Sequence, residues 1–341
     1  MEKIWIDALE FENYGGFQRD TQFVREMGQG YLRADGVGEP VSPATVKFAV
    51  KEDGMYRVFL RTKNWCVGYE PDGLIVSVNG LKSKHIAGRM QISQWYFEIG
   101  GEFLLSAGMH TLSIYDITGW FGRFAAVIIT NDLDFYPTPE LSRLKSLRAD
   151  IKGLKNTITD HGQYDLLIAG GGVPGIVAAI TAARHGLRVA LINDRPVLGG
   201  NGSDEGDVTL EGAAHRGYHE TGIIYEIKNV RQEEKISWSV AFDRFVKNEP
   251  NLFLFSDMLV DNCQCDDGRI SSVHAVDTLN LTEHIFTAEQ YVDNTGDGWL
   301  GYYANADYHI GREAKWEYGE EFAPEIADGN TMSGCNSGTY P

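Results

Sequence analysis

The sequence predicts two domains of different class, a β-sandwich followed by an α/β domain. Three observations carry this. Over residues 1–138, short apolar runs recur between turn signals, without the period of a helix. From Tyr164 the pattern changes to unbroken apolar runs alternating with helical stretches, as in a buried parallel sheet. The length, 341 residues, suits two domains at roughly 100–200 residues each.

In the first domain, residues 46–50, 56–60, 74–78, 110–115 and 125–130 read as strands. Asn79-Gly80 is a tight-turn pair between strands. Strands at this spacing suggest a jelly roll or related sandwich, with no helix and no internal repeat. Residues 139–163 read as a linker with one short helix. Pro137-Thr138-Pro139 ends the sandwich, and Leu141, Leu144 and Leu147 recur at three-residue spacing among basic residues.

The second domain, 164–341, opens on the apolar strand 166–169 and a glycine cluster. A helix over 176–185 follows, with Gly186 at its end, then a second buried strand over 188–192. This is a β-α-β unit. Residues 222–228 have mixed helix character, and 241–246 read as helix. Strand 252–255 leads into extended segments at 258–265, 270–279 and 284–288, a β-meander. Asp266-Asp267-Gly268 turns between the first two of these.

Composition excludes several functions. The formal charge of −18 argues against a general nucleic-acid binder, which needs a Lys/Arg surface. No apolar run reaches the ~18 residues of a membrane span. Four cysteines are too few for a disulfide scaffold. Cys263 and Cys265 would share one face of a strand as small buried hydrophobes, and no further ligand at metal spacing joins them. The start Met1-Glu2-Lys3-Ile4-Trp5 lacks the regions of a signal peptide. A soluble protein is expected, periplasmic or cytoplasmic.

The strongest motif is Gly170-Gly171-Gly172-Val173-Pro174-Gly175. Gly170, Gly172 and Gly175 satisfy G-x-G-x-x-G, after a strand and at the start of a helix. The first glycine allows the tight turn, the second lets a pyrophosphate approach the backbone, and the third lets helix pack on strand. The anion then meets the helix N-terminus, where free N–H groups and the dipole favour it. An acidic residue is expected roughly 20 residues on, to hold ribose hydroxyls. Asn193 stands there, followed by Asp194, and either can serve.

These residues resemble a known family. The run 164–172 looks like the amino end of FAD-dependent oxidoreductases of the glutathione-reductase structural type. Residues 194–201, a basic residue and then Gly199-Gly200, resemble that group's second signature. The run 198–205 is similar to a bacterial subgroup of flavoproteins bearing an N-terminal carbohydrate-binding-module-like jelly roll. Residues 292–298 resemble the family's later Asp-x-Thr-Gly-Asp turn. The resemblance covers residues 164–335 through motifs, and 1–138 more loosely. It implies a Rossmann-like FAD-binding domain and a carbohydrate-like substrate. Gly170, Gly172 and Gly175, with Val173 and Pro174 between them, would face the FAD pyrophosphate. Asn193 or Asp194 would face the adenosine ribose. Arg195, Gly199, Gly200, Asn201 and Ser203 would line the path towards the flavin. Val260 would touch adenine through its backbone, and Thr295, Gly296 and Asp297 would close over the nucleotide. The family normally continues beyond this point, so the domain is expected to be incomplete at its C-terminus.

Flavin chemistry needs a proton acceptor near the substrate. His215 or His219 could take a hydroxyl proton while hydride passes to flavin N5. Arg216 could hold an oxyanion or carboxylate. The competing reading of this cluster is a solvated loop with ordinary surface charges. Arg312 is either a phosphate or substrate ligand, or one half of an ion pair with Glu313 or Glu317. Among the sandwich aromatics, Trp65, Tyr69, Trp95, Tyr96, Trp120 and Phe121 divide between sugar stacking and core filling. No G-x-S-x-G elbow, H-E-x-x-H pair or Walker loop occurs. An FAD-dependent oxidoreductase is the expected function. The alternatives are a non-catalytic glycan-binding protein or truncated fragment with a vestigial nucleotide fold, and an NAD(P)-dependent dehydrogenase.

Overall fold

Alternation of apolar and polar residues builds the N-terminal half. The computed structural model describes residues 1–155, 157–206, 208, 210 and 220–329. β1 (Lys3–Asp7), β2 (Phe17–Asp20), the single helical turn α1 (Val24–Met27) and β3 (Tyr31–Ala34) come first. β4 (Ala44–Val50) points Ala44, Val46, Phe48 and Val50 inward, with the residues between them turned out. β5 (Gly54–Thr62), β6 (Leu74–Val78), β7 (Leu81–Lys82), β8 (Tyr96–Leu105), β9 (Gly108–Asp116) and β10 (Arg123–Thr130) complete it.

Two sheets result. One runs β2-β3-β10-β5-β8, with β1 beside β3 on the same edge of β10, and the other runs β4-β9-β6-β7. Their inner faces meet around Val58, Leu74, Val76, Leu112, Ile114 and Val127, each fully buried. Burial of such a side chain stabilises the fold by about 1.5–3 kcal/mol. Phe124 takes the ring edges of Phe11 and Phe17 at 5.1 and 5.6 Å. Asn79 and Gly80 both have positive φ, +51° and +83°, the pair a tight β6–β7 hairpin requires. The β-sandwich expectation holds. α1 departs from the expectation of no helix, because one turn of four residues leaves no periodic trace.

α2 (Leu141–Lys152) is the linker helix. It buries Leu144 against Trp5, Phe59, Phe97 and Ile128 on the outer face of the sandwich. β11 (Ile158–Ala169) begins at Ile158, so the linker ends earlier than Gln163. The polar stretch 158–163 hid that strand, since its residues are mostly exposed.

The rest is α/β, as expected. α3 (Val173–Arg184) and β12 (Val189–Ile192) follow β11. Then come α4 (Gly222–Glu234), α5 (Trp238–Lys247), β13 (Leu252–Phe255), β14 (Met258–Asp266), β15 (Arg269–Asp277), β16 (Glu283–Asp293), α6 (Trp299–Tyr303) and α7 (Lys315–Tyr318). The sheet order is β13-β12-β11-β16-β15-β14. β13, β12, β11 and β16 are parallel, while β14, β15 and β16 form the antiparallel meander. α3 lays Ile176, Ala179, Ile180 and Ala183 on one face of the sheet, beside Phe242 and Val246 of α5. The C-terminal ends of β11, β12 and β16 therefore converge where the glycine cluster lies.

Cys263 and Cys265 do share one face of β14, with their sulfurs 3.9 Å apart. They are half-buried and exposed, not the buried pair expected, because β14 is the outer strand of the meander.

Candidate cofactor site

The site is built where β11 ends. Gly170 has φ +111°, and a Cβ there would overlap the carbonyl of Asn294, in the turn after β16. A Cβ on Gly175 would overlap the carbonyl of Gly170. These two glycines are therefore required by the packing of the protein itself. Gly172 differs, since a Cβ there would meet nothing nearer than Pro174 Cδ at 3.9 Å. Its outward side is open. It is also the N-cap of α3 and carries no side-chain cap, so first-turn N–H groups remain for another acceptor. Pro174 sits in that first turn, where a missing N–H costs nothing. Val173 is half-buried and Pro174 exposed.

The second glycine turn packs on the first. The N–H of Gly199 donates to the carbonyl of Gly171 at 2.9 Å, and Gly172 and Gly199 form a parallel bridge. A Cβ on Gly200 would lie 3.3 Å from the Gly172 Cα. Asn201 is exposed, Ser203 is buried, and Ser203 Oγ accepts from the N–H of Glu205 at 3.3 Å.

Asn193 is committed to structure. Its side-chain oxygen accepts from the N–H of Gly171 at 3.2 Å. Its nitrogen donates to the carbonyls of Arg195 and Val197 at 2.8 and 2.9 Å. The residue is buried, and its amide braces both turns. Asp194, half-buried beside it, is the side chain free of that task. A carboxylate at 193 could accept from Gly171 but could not donate to two carbonyls.

The third segment is the turn after β16. Thr295 is held from both sides: its hydroxyl donates to Asp293 Oδ1 at 2.7 Å and accepts from the N–H of Trp299 at 2.8 Å. Asp293 Oδ2 accepts from the N–H of Gly301 at 2.8 Å. Gly296 has φ +89°, and Asp297 is exposed at the turn's tip. Asp293 orders this turn, a role only its spacing from Thr295 hinted at. Val260 is buried in β14, and its carbonyl accepts from Arg25 of the sandwich at 2.9 Å.

His215, Arg216 and His219 lie outside the described residues. Arg312 pairs with Asp328, not with Glu313 or Glu317. Residues 312 and 328 also exchange backbone hydrogen bonds at 3.1 and 3.2 Å, so a loop closure that a local search misses sets the pair. Of the sandwich aromatics, Trp95 and Tyr96 are buried. Tyr69 is 85% and Trp120 40% exposed, and Trp65 and Phe121 are half-buried beside Trp120. A concavity of about 430 Å³ lies against α3 and the start of α4, lined by Val177, Arg184 and Ile223 among others. It is away from the glycine turns.

A parallel sheet, two interlocked glycine turns and a bare helix N-terminus define a dinucleotide-binding domain. The open side of Gly172 and the tight packing of Gly170 and Gly175 fit a pyrophosphate at α3. The family described as FAD dependent oxidoreductase matches residues 165–337. This chain belongs to that family, and its cofactor is FAD.

Among curated proteins, the soluble pyridine nucleotide transhydrogenase of Marinobacter nauticus is 40% identical over 52 residues. That stretch is 15% of this chain and 11% of the transhydrogenase, so the match spans about a tenth of that relative's length. A family 35 carbohydrate binding module from Clostridium thermocellum is similar at 20% identity and TM-score 0.32. The likeness covers 37% of this chain and 97% of the module. The glycerol-3-phosphate dehydrogenase of Bacillus halodurans, complexed with FAD, is similar at 18% identity and TM-score 0.31, over 39% of this chain and 34% of that one. Among the described residues, no helix is long and apolar enough to cross a membrane.

Proposed function

We propose that this protein oxidises or reduces a small carbohydrate-like substrate, with bound FAD supplying hydride acceptance or donation at its N5. The observation that carries the reading is the open Cα of Gly172 at the uncapped N-terminus of α3, with the Gly199-Gly200 turn pinned beside it. The α3 amides would hold the pyrophosphate, where the helix dipole adds to their hydrogen bonds. Asp194 would accept from the ribose hydroxyls, since the amide of Asn193 is already engaged. Thr295, Gly296 and Asp297 would close over the nucleotide.

His215 or His219 would take the substrate's hydroxyl proton as the hydride leaves its carbon, and Arg216 would hold the charge developing on oxygen. Trp65, Tyr69 and Trp120 lie together or exposed on loops of the sandwich, and such faces suit stacking on a sugar ring. That placement supports the substrate class. An absorbance spectrum of the purified protein, before and after denaturation and with added FAD, tests the cofactor reading. Flavin bands near one equivalent, released as FAD, are expected. A colourless protein that also ignores added FAD overturns it. Anaerobic bleaching of the bands by a panel of sugars then tests the substrate class.

A further inference from the structure

One segment of the sandwich reaches two loops, a strand and a helix of the FAD domain. Between β2 and the end of α1, Thr21 donates its hydroxyl hydrogen to Glu205 Oε2 at 2.6 Å. Glu205 ends the run that follows the Gly199-Gly200 turn. Arg19 pairs with Asp257 at 2.6 Å, and the N–H of Asp257 donates to the carbonyl of Arg195. Arg25 donates to the carbonyl of Val260 at 2.9 Å and to the hydroxyl of Tyr303 at 3.1 Å. Its guanidinium lies over the ring of Trp299, 4.5 Å from the centroid. Trp299 follows the 295–298 turn directly and caps back onto Thr295. Arg25 thus ties β14 to α6, and so joins the strand expected to touch adenine to the helix that follows the turn expected to close over the nucleotide. A planar guanidinium can stack on an indole and donate in its own plane at once, which an ammonium cannot.

Resting on the FAD reading above, we propose that residues 19–25 of the sandwich belong to the cofactor site, and that Arg25 positions the walls of its adenosine end. The sandwich is then an integral part of the flavin-binding unit and not an appended module that moves freely. FMN lacks the adenosine half, so it reports on a general loss of structure without reporting on this role.

The test is titration of full-length wild-type protein and Arg25→Ala with FAD and with FMN, followed by flavin fluorescence, with thermal melting of each apoprotein. The expected result is at least tenfold weaker FAD binding with unchanged FMN binding. Arg25→Lys should recover little, because it restores charge and a donor but not the stacked plane. Should Arg25→Ala not fold, Arg25→Met keeps the packing stem and is read the same way. Equal loss of FAD and FMN binding, or no loss of either, overturns the inference and leaves the cofactor assignment standing. A wild-type protein that binds neither flavin overturns the cofactor assignment itself.

Discussion

The carboxamide of Asn193 and the backbone of Gly171 are locked together, oxygen to N–H, at 3.2 Å. The same amide donates to the carbonyls of Arg195 and Val197, so one side chain holds both glycine turns in register. Asn193→Asp keeps the volume and the acceptor but sets carboxylate oxygens against two carbonyls. A buried donor replaced by an acceptor costs about 1–3 kcal/mol for each group left unpaired. The variant should melt several degrees lower and bind FAD more weakly. An unchanged melting curve with unchanged FAD affinity would remove Asn193 from this role.

The three motif glycines should separate on substitution. Gly175→Ala drives a methyl into the carbonyl of Gly170, and Gly170→Ala drives one into Asn294. Both should destabilise the fold, by about 1–3 kcal/mol of overpacking or more. Gly172→Ala places its methyl in open space. It should fold and melt like wild type yet lose FAD, because the methyl fills the approach to the helix amides. Melting and flavin titration on the three variants make the comparison. Retention of full FAD affinity by Gly172→Ala would contradict the proposed pyrophosphate position.

Buried Arg148 on α2 binds Asp7 of β1 at 2.7 Å and donates to the carbonyls of Thr278 and Leu279 after β15. It therefore ties sandwich, linker and α/β domain at one point. Lys152 joins it on Asp7 at 2.7 Å. Burial alone would raise the Asp7 pKa, but the charges and hydrogen bonds of Arg148 and Lys152 outweigh burial and hold it below the usual value. A lowered folded pKa gives stability that is present above the unfolded value, about 3.9, and is lost as pH falls through the folded one. Arg148→Met leaves Asp7 paired with Lys152 alone and removes the donor from the carbonyls of Thr278 and Leu279, at about 1–3 kcal/mol for each buried group left unpaired. Chemical denaturation should then show a lower midpoint, with the Arg19, Thr21 and Arg25 contacts still joining the two domains. A transition at the wild-type midpoint would show that the tie is immaterial.

What could be read from the sequence was local. The glycine fingerprint is legible because its spacing lies within one short strand–turn–helix unit, although the carbonyl that crowds Gly170 belongs to distant Asn294. The Asn79-Gly80 hairpin is likewise local. The sandwich strands β4, β5, β6, β9 and β10 alternate or run apolar. β8 escaped notice because Gly100-Gly101 interrupts it. The bracing by Asn193 was not legible, since it depends on the second turn folding back to present two carbonyls. The seam at Arg25 was still less so, because its partner carbonyl lies 235 residues away. Arg312 could be seen as half of an ion pair, but Asp328 reaches it only through a loop closure. Both the Asp293–Thr295 contact and the Cys263–Cys265 pair follow from strand and turn spacing. Their roles depend on what packs beside them.

Asp72 gives the remaining prediction. It is fully buried near the loop end of the sandwich, and neither carboxyl oxygen is paired with another residue among those described. Burial pushes its pKa up to about 6, against the opposing charges of Arg123 and Arg89. A folded pKa above the unfolded one means that the folded state holds the proton more tightly. Its contribution to stability is greatest below the unfolded value, about 3.9, declines as pH rises towards about 6, and is level above that. The loss amounts to about 3 kcal/mol across that window, at 1.36 kcal/mol per pKa unit. Asp72→Asn cannot ionise and lacks this decline. The difference in unfolding free energy between variant and wild type should therefore grow in favour of the variant from pH 4 to pH 7. Measuring the difference cancels Asp7 and the other carboxyls common to both proteins. A difference that stays constant over that range would mean that Asp72 titrates at an ordinary value, with a partner for its carboxylate in solution.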